Sequence, residues 1–193
     1  MRKPTTLLLA AGLCVLSGEA TAQTPIGQWR DHFQYLHTIA VVEGGNNIYC
    51  ATTTAVFKYD EQSGETVRYT KVNALSDVNI LSLGWNSERN ALIVGYKNGN
   101  LDVIANGTTT SIGDIRRSSI SGDKGIHDIT SVGSLAYLGC GFGIVVVDLA
   151  RMEVKDTWII GPNAGQLQVN GVLFHDDSIY AATETGLYSA WQG

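Results

Sequence analysis

From residue 38 onward, apolar and polar positions alternate in short runs, and the runs recur four times in the same order. The segment Asn47-Ile48-Tyr49-Cys50-Ala51-Thr52 has counterparts in Ala91-Leu92-Ile93-Val94-Gly95-Tyr96, Leu135-Ala136-Tyr137-Leu138-Gly139-Cys140 and Ser178-Ile179-Tyr180-Ala181-Ala182-Thr183. The positions Tyr49, Ile93, Tyr137 and Tyr180 lie 44, 44 and 43 residues apart, which is too regular for chance. Six residues beyond each stands a small residue, Ala55, Gly99, Gly143 or Gly186. A second alternating run follows it: Val56-Phe57-Lys58-Tyr59, Asn100-Leu101-Asp102-Val103, Ile144-Val145-Val146-Val147 or Leu187-Tyr188-Ser189. A small residue there suits a tight turn, so each pair of runs predicts a hairpin. A third strand follows turns such as 61–64 and Ala105-Asn106-Gly107, and another precedes each first run, at 38–42, 79–83, 129–132 and 171–174.

Each unit is therefore four short antiparallel strands. A sheet of that size cannot bury both faces alone and must stack on neighbours, which is how the blades of a β-propeller are arranged. The period-two alternation and the β-branched and aromatic content exclude helical repeats of similar length. The expected fold is all-β, a β-propeller of four-stranded antiparallel blades over residues 38–76, 77–124, 125–168 and 169–193, the last blade incomplete, so about three and a half blades. Closed propellers have roughly four to eight blades, so the chain is expected to be a fragment of a longer protein, or else to close against another copy. The stretch Gln28-Trp29-Arg30-Asp31-His32-Phe33-Gln34-Tyr35 reads as an outer strand that would complete a last blade.

Residues 1–22 depart from this pattern. Arg2 and Lys3 open a basic start, an apolar run extends from Leu7 to Leu16, and Ala20-Thr21-Ala22 supplies a small-residue site, so cleavage is expected between Ala22 and Gln23. A membrane anchor would need about 20 apolar residues, and Ser17, Gly18 and Glu19 interrupt the run earlier. Lipid attachment at Cys14 is disfavoured by Leu13, which stands where a small residue is required. No second apolar run follows, so no transmembrane segment is expected in the mature part, residues 23–193. With 44% hydrophobic and 16% charged residues, the whole chain has the composition of a soluble globular domain.

The formal net charge of −5 becomes one unit more negative once the leader is removed, which argues against nucleic acid as a partner. Arg116, Arg117 and Lys124 form the one local cationic cluster. It is a candidate patch for an anionic glycan, the alternative being a solvated loop. Cys50 and Cys140 fall in repeats separated by a whole intervening one, so two buried free thiols are expected rather than a disulfide. Neither cysteine has the spacing of a zinc site.

Little in the sequence points to catalysis. The run Gly139-Cys140-Gly141-Phe142-Gly143 aligns with the hairpin turns of the other repeats and precedes no helix, so it is not a phosphate loop. His32, His37, His127 and His175 occupy unrelated columns of the repeat. His175-Asp176-Asp177 reads as a turn, there is no Gly-x-Ser-x-Gly elbow, and Asn106-Gly107-Thr108 is formally a glycosylation sequon but equally a turn. No catalytic residue, metal or cofactor is expected. The segments 71–77, 114–124 and 161–168, longer and more polar than a hairpin requires, are the candidate interaction surface.

The pattern from Asn47 to Asp60, repeated from Asp177 to Tyr188, resembles the regulator-propeller repeats of periplasmic bacterial sensors. Ile26-Gly27-Gln28-Trp29-Arg30-Asp31-His32, with Val56-Phe57-Lys58-Tyr59-Asp60 and Lys71-Val72-Asn73-Ala74-Leu75-Ser76-Asp77, is more specifically similar to the PorZ family of the type IX secretion system. That resemblance implies a non-enzymatic, exported module in the periplasm or at the outer cell surface of a Gram-negative bacterium. It also implies other secretion-system proteins as partners, among them a PorU-like sortase complex, and a link to anionic lipopolysaccharide delivery. In that family a second propeller and a β-sandwich follow. The alternative is a glycan-sensing propeller of a hybrid two-component regulator.

Overall fold

A computed structural model of the chain describes residues 36–191. The leader with Ala22, Gln23 and Cys14, His32, and the proposed outer strand at 28–35 lie outside the described residues.

Among the described residues, fifteen strands form four antiparallel sheets in strict chain order. The first sheet comprises β1 (Thr38–Gly44), β2 (Asn47–Thr52), β3 (Ala55–Asp60) and β4 (Thr66–Thr70). The second comprises β5 (Ile80–Asn86), β6 (Ala91–Tyr96), β7 (Leu101–Ala105) and β8 (Thr108–Ile112). β9 (Ile126–Val132), β10 (Leu135–Cys140), β11 (Gly143–Asp148) and β12 (Glu153–Trp158) make the third. The fourth has three strands, β13 (Val169–His175), β14 (Ser178–Thr183) and β15 (Gly186–Trp191). Every connection within a sheet is a short hairpin and every sheet packs on the next, so the described residues form a partial β-propeller.

The turn chemistry explains these boundaries. Asn106 and Gly107 have φ of 51° and 74°, and Asp176 and Asp177 have 45° and 57°, the left-handed pairs that suit a right-twisted hairpin. The sequon and the His-Asp-Asp segment are thus both turns. Asn79 has φ 62°, and β5 accordingly begins one residue later than the alternation suggested. At Gly143, φ is 148° and an added Cβ would meet the Trp158 carbonyl, so only glycine fits that turn. One feature recurs in every sheet without a sequence signal: the first strand slips register against the second at Ile39, Leu81, His127 and Asn170. Such a bulge adds one residue and sharpens the local twist.

Alternation also decides the packing. Tyr49 and Ala51 on β2 face Leu92, Val94 and Ile104 of the second sheet. Ala91, Ile93 and Val103 then face Ala136, Leu138, Val145 and Val147 of the third. Tyr137, Ile144 and Val146 face Val172, Ile179 and Ala181 of the fourth. Between these apolar layers run single polar bolts. Ser82 Oγ donates to the Ile126 carbonyl (2.7 Å), Asn86 Nδ2 to the Gly133 carbonyl (2.8 Å), and Val172 N–H to the Asp128 carboxylate (2.7 Å).

The stacking corrects one expectation. Cys140 is fully buried, but Cys50 is only half-buried. Its column holds Val94, Leu138 and Ala181, each covered by the preceding sheet, whereas Cys50 lies on the face of the first sheet that no other described sheet covers, beside exposed Val41 and Tyr59. On the far face of the fourth sheet, which no other described sheet covers, Leu173 and Leu187 are likewise exposed. The segments expected as plain loops also contain a one-turn helix, α1 (Asp114–Arg117), and a 3₁₀ turn at Pro162–Ala164.

Gly84 sits where the second sheet closely approaches the third, and an added Cβ would fall on the β-carbon and methyl of Ile129. Gly84→Ala is expected to lower stability by about 1–3 kcal/mol through overpacking, to be read from urea denaturation midpoints.

Candidate functional site

The candidate surface is the end of the blades where one sheet hands over to the next. Two kinds of segment meet there: the connections 71–79, 113–125 and 159–168, and the middle hairpin turns of the sheets. The meeting is visible in backbone bonds, with Ile80 N–H donating to Thr53 O (3.0 Å), Lys97 N–H to Asn79 O (2.9 Å) and Gly141 N–H to Gly125 O (3.2 Å).

At its centre is a buried carboxylate. Asp102, on β7, has no solvent exposure, and neither does Tyr96 at the end of β6. Ser76 donates twice to this carboxylate, from its backbone N–H (2.7 Å) and its hydroxyl (2.6 Å), and the Tyr96 hydroxyl donates at 2.6 Å. Asn100 Nδ2 donates to Ser76 Oγ (2.6 Å) and to Ser111 Oγ (3.1 Å), which extends the network to β8. A charge can be buried in such a place because its lone pairs are met by three donors. Burial raises the Tyr96 phenol far above its ordinary value, and the adjacent Asp102 charge adds to the effect.

Asp77, next along the chain, organises the rim. It accepts from Asn98 Nδ2 (2.5 Å) and pairs with Lys71 and Arg116, both at 3.4 Å. Partial desolvation, which raises its pKa, is outweighed by bonds from Val78 N–H, Asn98 and Lys71, so the carboxyl lies below its usual value.

The three cations singled out in the sequence do come close together, but they are not equivalent. Lys124 spends its ammonium on the carbonyls of Arg116 (3.1 Å) and Ser118 (2.7 Å), fixing the loop that carries the arginines. Arg117 pairs with Asp114 at 2.7 Å while remaining 72% exposed, and Arg116 is 57% exposed. Cationic surface facing solvent thus comes from the two guanidiniums, each already beside one carboxylate.

The remaining chemistry-bearing groups are dispersed. His127, at the bulge of β9, lies 3.1 Å from Asp123, and His175 lies 3.2 Å from Asp176. Cys140 has its thiol pKa raised by burial and further by Asp123, which makes it a poor nucleophile near neutral pH. Among the described residues no group of three or more potential metal ligands is assembled, and no helix is long and apolar enough to cross a membrane. Sequence reasoning missed Asp102, Tyr96 and Ser76. Within its strand Asp102 passes for an ordinary polar position, and its main partner is 26 residues away.

Residues 48–193 match the family described as the N-terminal β-propeller domain of PorZ of the type IX secretion system. No curated protein matches the chain. Among solved structures the fold is similar to that of PorZ from Porphyromonas gingivalis, described as an essential bacterial surface component of the type IX secretion system. The similarity has a TM-score of 0.69 at 22% identity and covers 80% of this chain and 20% of that one. It is also similar to the extracellular domain of a putative hybrid two-component system from B. thetaiotaomicron, with a TM-score of 0.63 at 16% identity over 77% of this chain and 20% of that one. Sqt1 of Saccharomyces cerevisiae gives 0.59 at 18% identity, over 76% and 43%. The chain thus spans 20% of the length of the PorZ structure, and at these identities the solved structures establish the fold.

Asp102→Ala would strand three buried donors and is expected to cost about 2–4 kcal/mol, measured by thermal or urea unfolding. The raised Tyr96 pKa has its own signature. Above pH 10 the unfolded chain ionises this tyrosine while the folded one does not, so stability falls as pH rises past that point. In Tyr96→Phe the alkaline slope should be shallower than in the parent.

Proposed function

The chain belongs to the PorZ N-terminal β-propeller family of the type IX secretion system, and from that premise we propose that it is a non-enzymatic interaction module of the cell-surface attachment complex. The family match over residues 48–193 carries this reading. The site geometry supports it: the blade connections at one end are pinned by buried bonds to Asp102 and by Lys124, which suits a rigid surface offered to a partner. We further propose export through a leader cleaved between Ala22 and Gln23, with a PorU-like sortase complex as partner.

A link to anionic lipopolysaccharide is the narrower part of the proposal. Its candidate residues are Arg116 and Arg117, with Lys124 as their support. The sensor alternative has only likeness of fold behind it, at 16% identity, whereas the family match favours the secretion reading.

In the native host, disrupting the protein should leave type IX cargo unattached at the cell surface, scored by fractionation and surface proteomics. Normal cargo attachment would overturn the assignment. The charge reversal Arg116→Glu with Arg117→Glu should weaken binding to purified anionic lipopolysaccharide by about tenfold. Unchanged binding would remove the patch from the proposal while leaving the scaffold reading in place.

A further inference from the structure

At the opposite end of the blades from the connections, the first and second sheets enclose a cavity of about 190 Å³. It is walled by Asn47, Tyr49, Lys58, Tyr69, Asn90 and Asn106, which come from β2, β3, β4 and two hairpin turns of the second sheet. These side chains have hydrogen-bonding capacity that the protein does not use. Asn47 Oδ1 is buried without a partner, and its Nδ2 reaches only the Gly44 carbonyl, at 3.4 Å. Among the described residues, the hydroxyls of Tyr49 and Tyr69, the Lys58 ammonium and the side-chain amides of Asn90 and Asn106 make no hydrogen bond or ion pair.

Of these atoms Asn47 Oδ1 is buried, and a native protein rarely leaves a buried polar atom unmet, whereas Asn90 and Asn106 stand at the exposed mouth of the cavity. The volume is several times the roughly 30 Å³ that one water occupies in the liquid, so a single structural water does not account for it. The wall is also firm. Trp85 stacks on Tyr49 with ring centroids 5.5 Å apart and planes at 23°, and Gly44 leaves the room that Trp85 occupies. Burial raises both tyrosine pKa values, so both phenols are donors at neutral pH.

The mix of unused groups selects the ligand. Sulfate or an ionised carboxylate accepts but does not donate, so it would leave Asn47 Oδ1 unmet, and the wall has one cation. An apolar ligand would satisfy none of these groups. We propose that this cavity binds a single neutral pyranose unit, whose hydroxyls both donate and accept and whose C–H edges suit an aromatic wall. The inference rests on the cavity alone and is independent of the secretion reading.

The intact protein would be titrated with neutral methyl pyranosides, with inorganic sulfate as the anionic comparison, followed by calorimetry and ligand-observed NMR. At least one pyranoside should bind, with a Kd on the order of 1 mM, and sulfate should not compete. Tyr49→Phe combined with Tyr69→Phe keeps both rings, should leave the melting profile unchanged, and should weaken binding at least about tenfold. Lys58→Met gives a second test on a half-buried side chain, with a loss in the same direction. Tyr188→Phe, between the third and fourth sheets, should bind like the parent. Binding of sulfate but no sugar, binding of neither, or sugar binding indifferent to both cavity variants would overturn the proposal.

Discussion

A four-stranded sheet of five- to seven-residue strands has two faces and too little mass to shield either, so the architecture depends on face-to-face stacking of one blade on the next. The columns of the repeat are tuned to that contact. Tyr49, Ile93, Tyr137 and Tyr180 form one column, and on the other side of the same strands Ile48, Leu92, Ala136 and Ile179 form another. In the interior blades both columns are buried, whereas Ile48 and Tyr180, on the faces that no other described sheet covers, are only partly covered. Burial thus follows position in the stack rather than residue type, and Cys50 departs from expectation for the same reason.

That constraint explains how much of the fold could be read from sequence. Alternation with a 44-residue period locates strands, hairpins and blade order because every blade solves the same packing problem with the same spacing. The bulges at Ile39, Leu81, His127 and Asn170 leave no such trace, since a register slip changes which residues face each other and not which residues are present. Helix α1 was also invisible. Its four residues are too few for a periodic signal, and only Ile115, buried against the second and third blades, marks an inward face.

Sites were harder to read than the fold because they are built across blades. Arg116, Arg117 and Lys124 are visible as a cluster, but nothing local says that Lys124 will turn its charge onto two carbonyls. Asp102 and Ser76 are far apart in sequence and meet only once β4 has handed over to β5. The polar cavity draws on β2, β3, β4 and two turns of the next sheet, and each contributing residue, seen alone, is an ordinary surface asparagine, tyrosine or lysine.

The placement of buried polarity is the more telling feature. A stack held by apolar faces alone would tolerate sliding, because dispersion and hydrophobic burial carry little directional preference. Ser82, Asn86 and Asp128 each place one directional bond across a blade boundary, and Asp102 ties the connection between the first two blades to the middle of the second. These bonds fix register between sheets, and those to Asp102 hold the connection end between the first two blades, which is where pre-organisation would benefit a protein partner. Where the first two sheets meet at the other end, the polar groups are present but unspent. Between the first two blades the fold thus meets the Asp102 carboxylate internally at one end and leaves Asn47 Oδ1 without a protein partner at the other, and that contrast is why the two ends are assigned different partners.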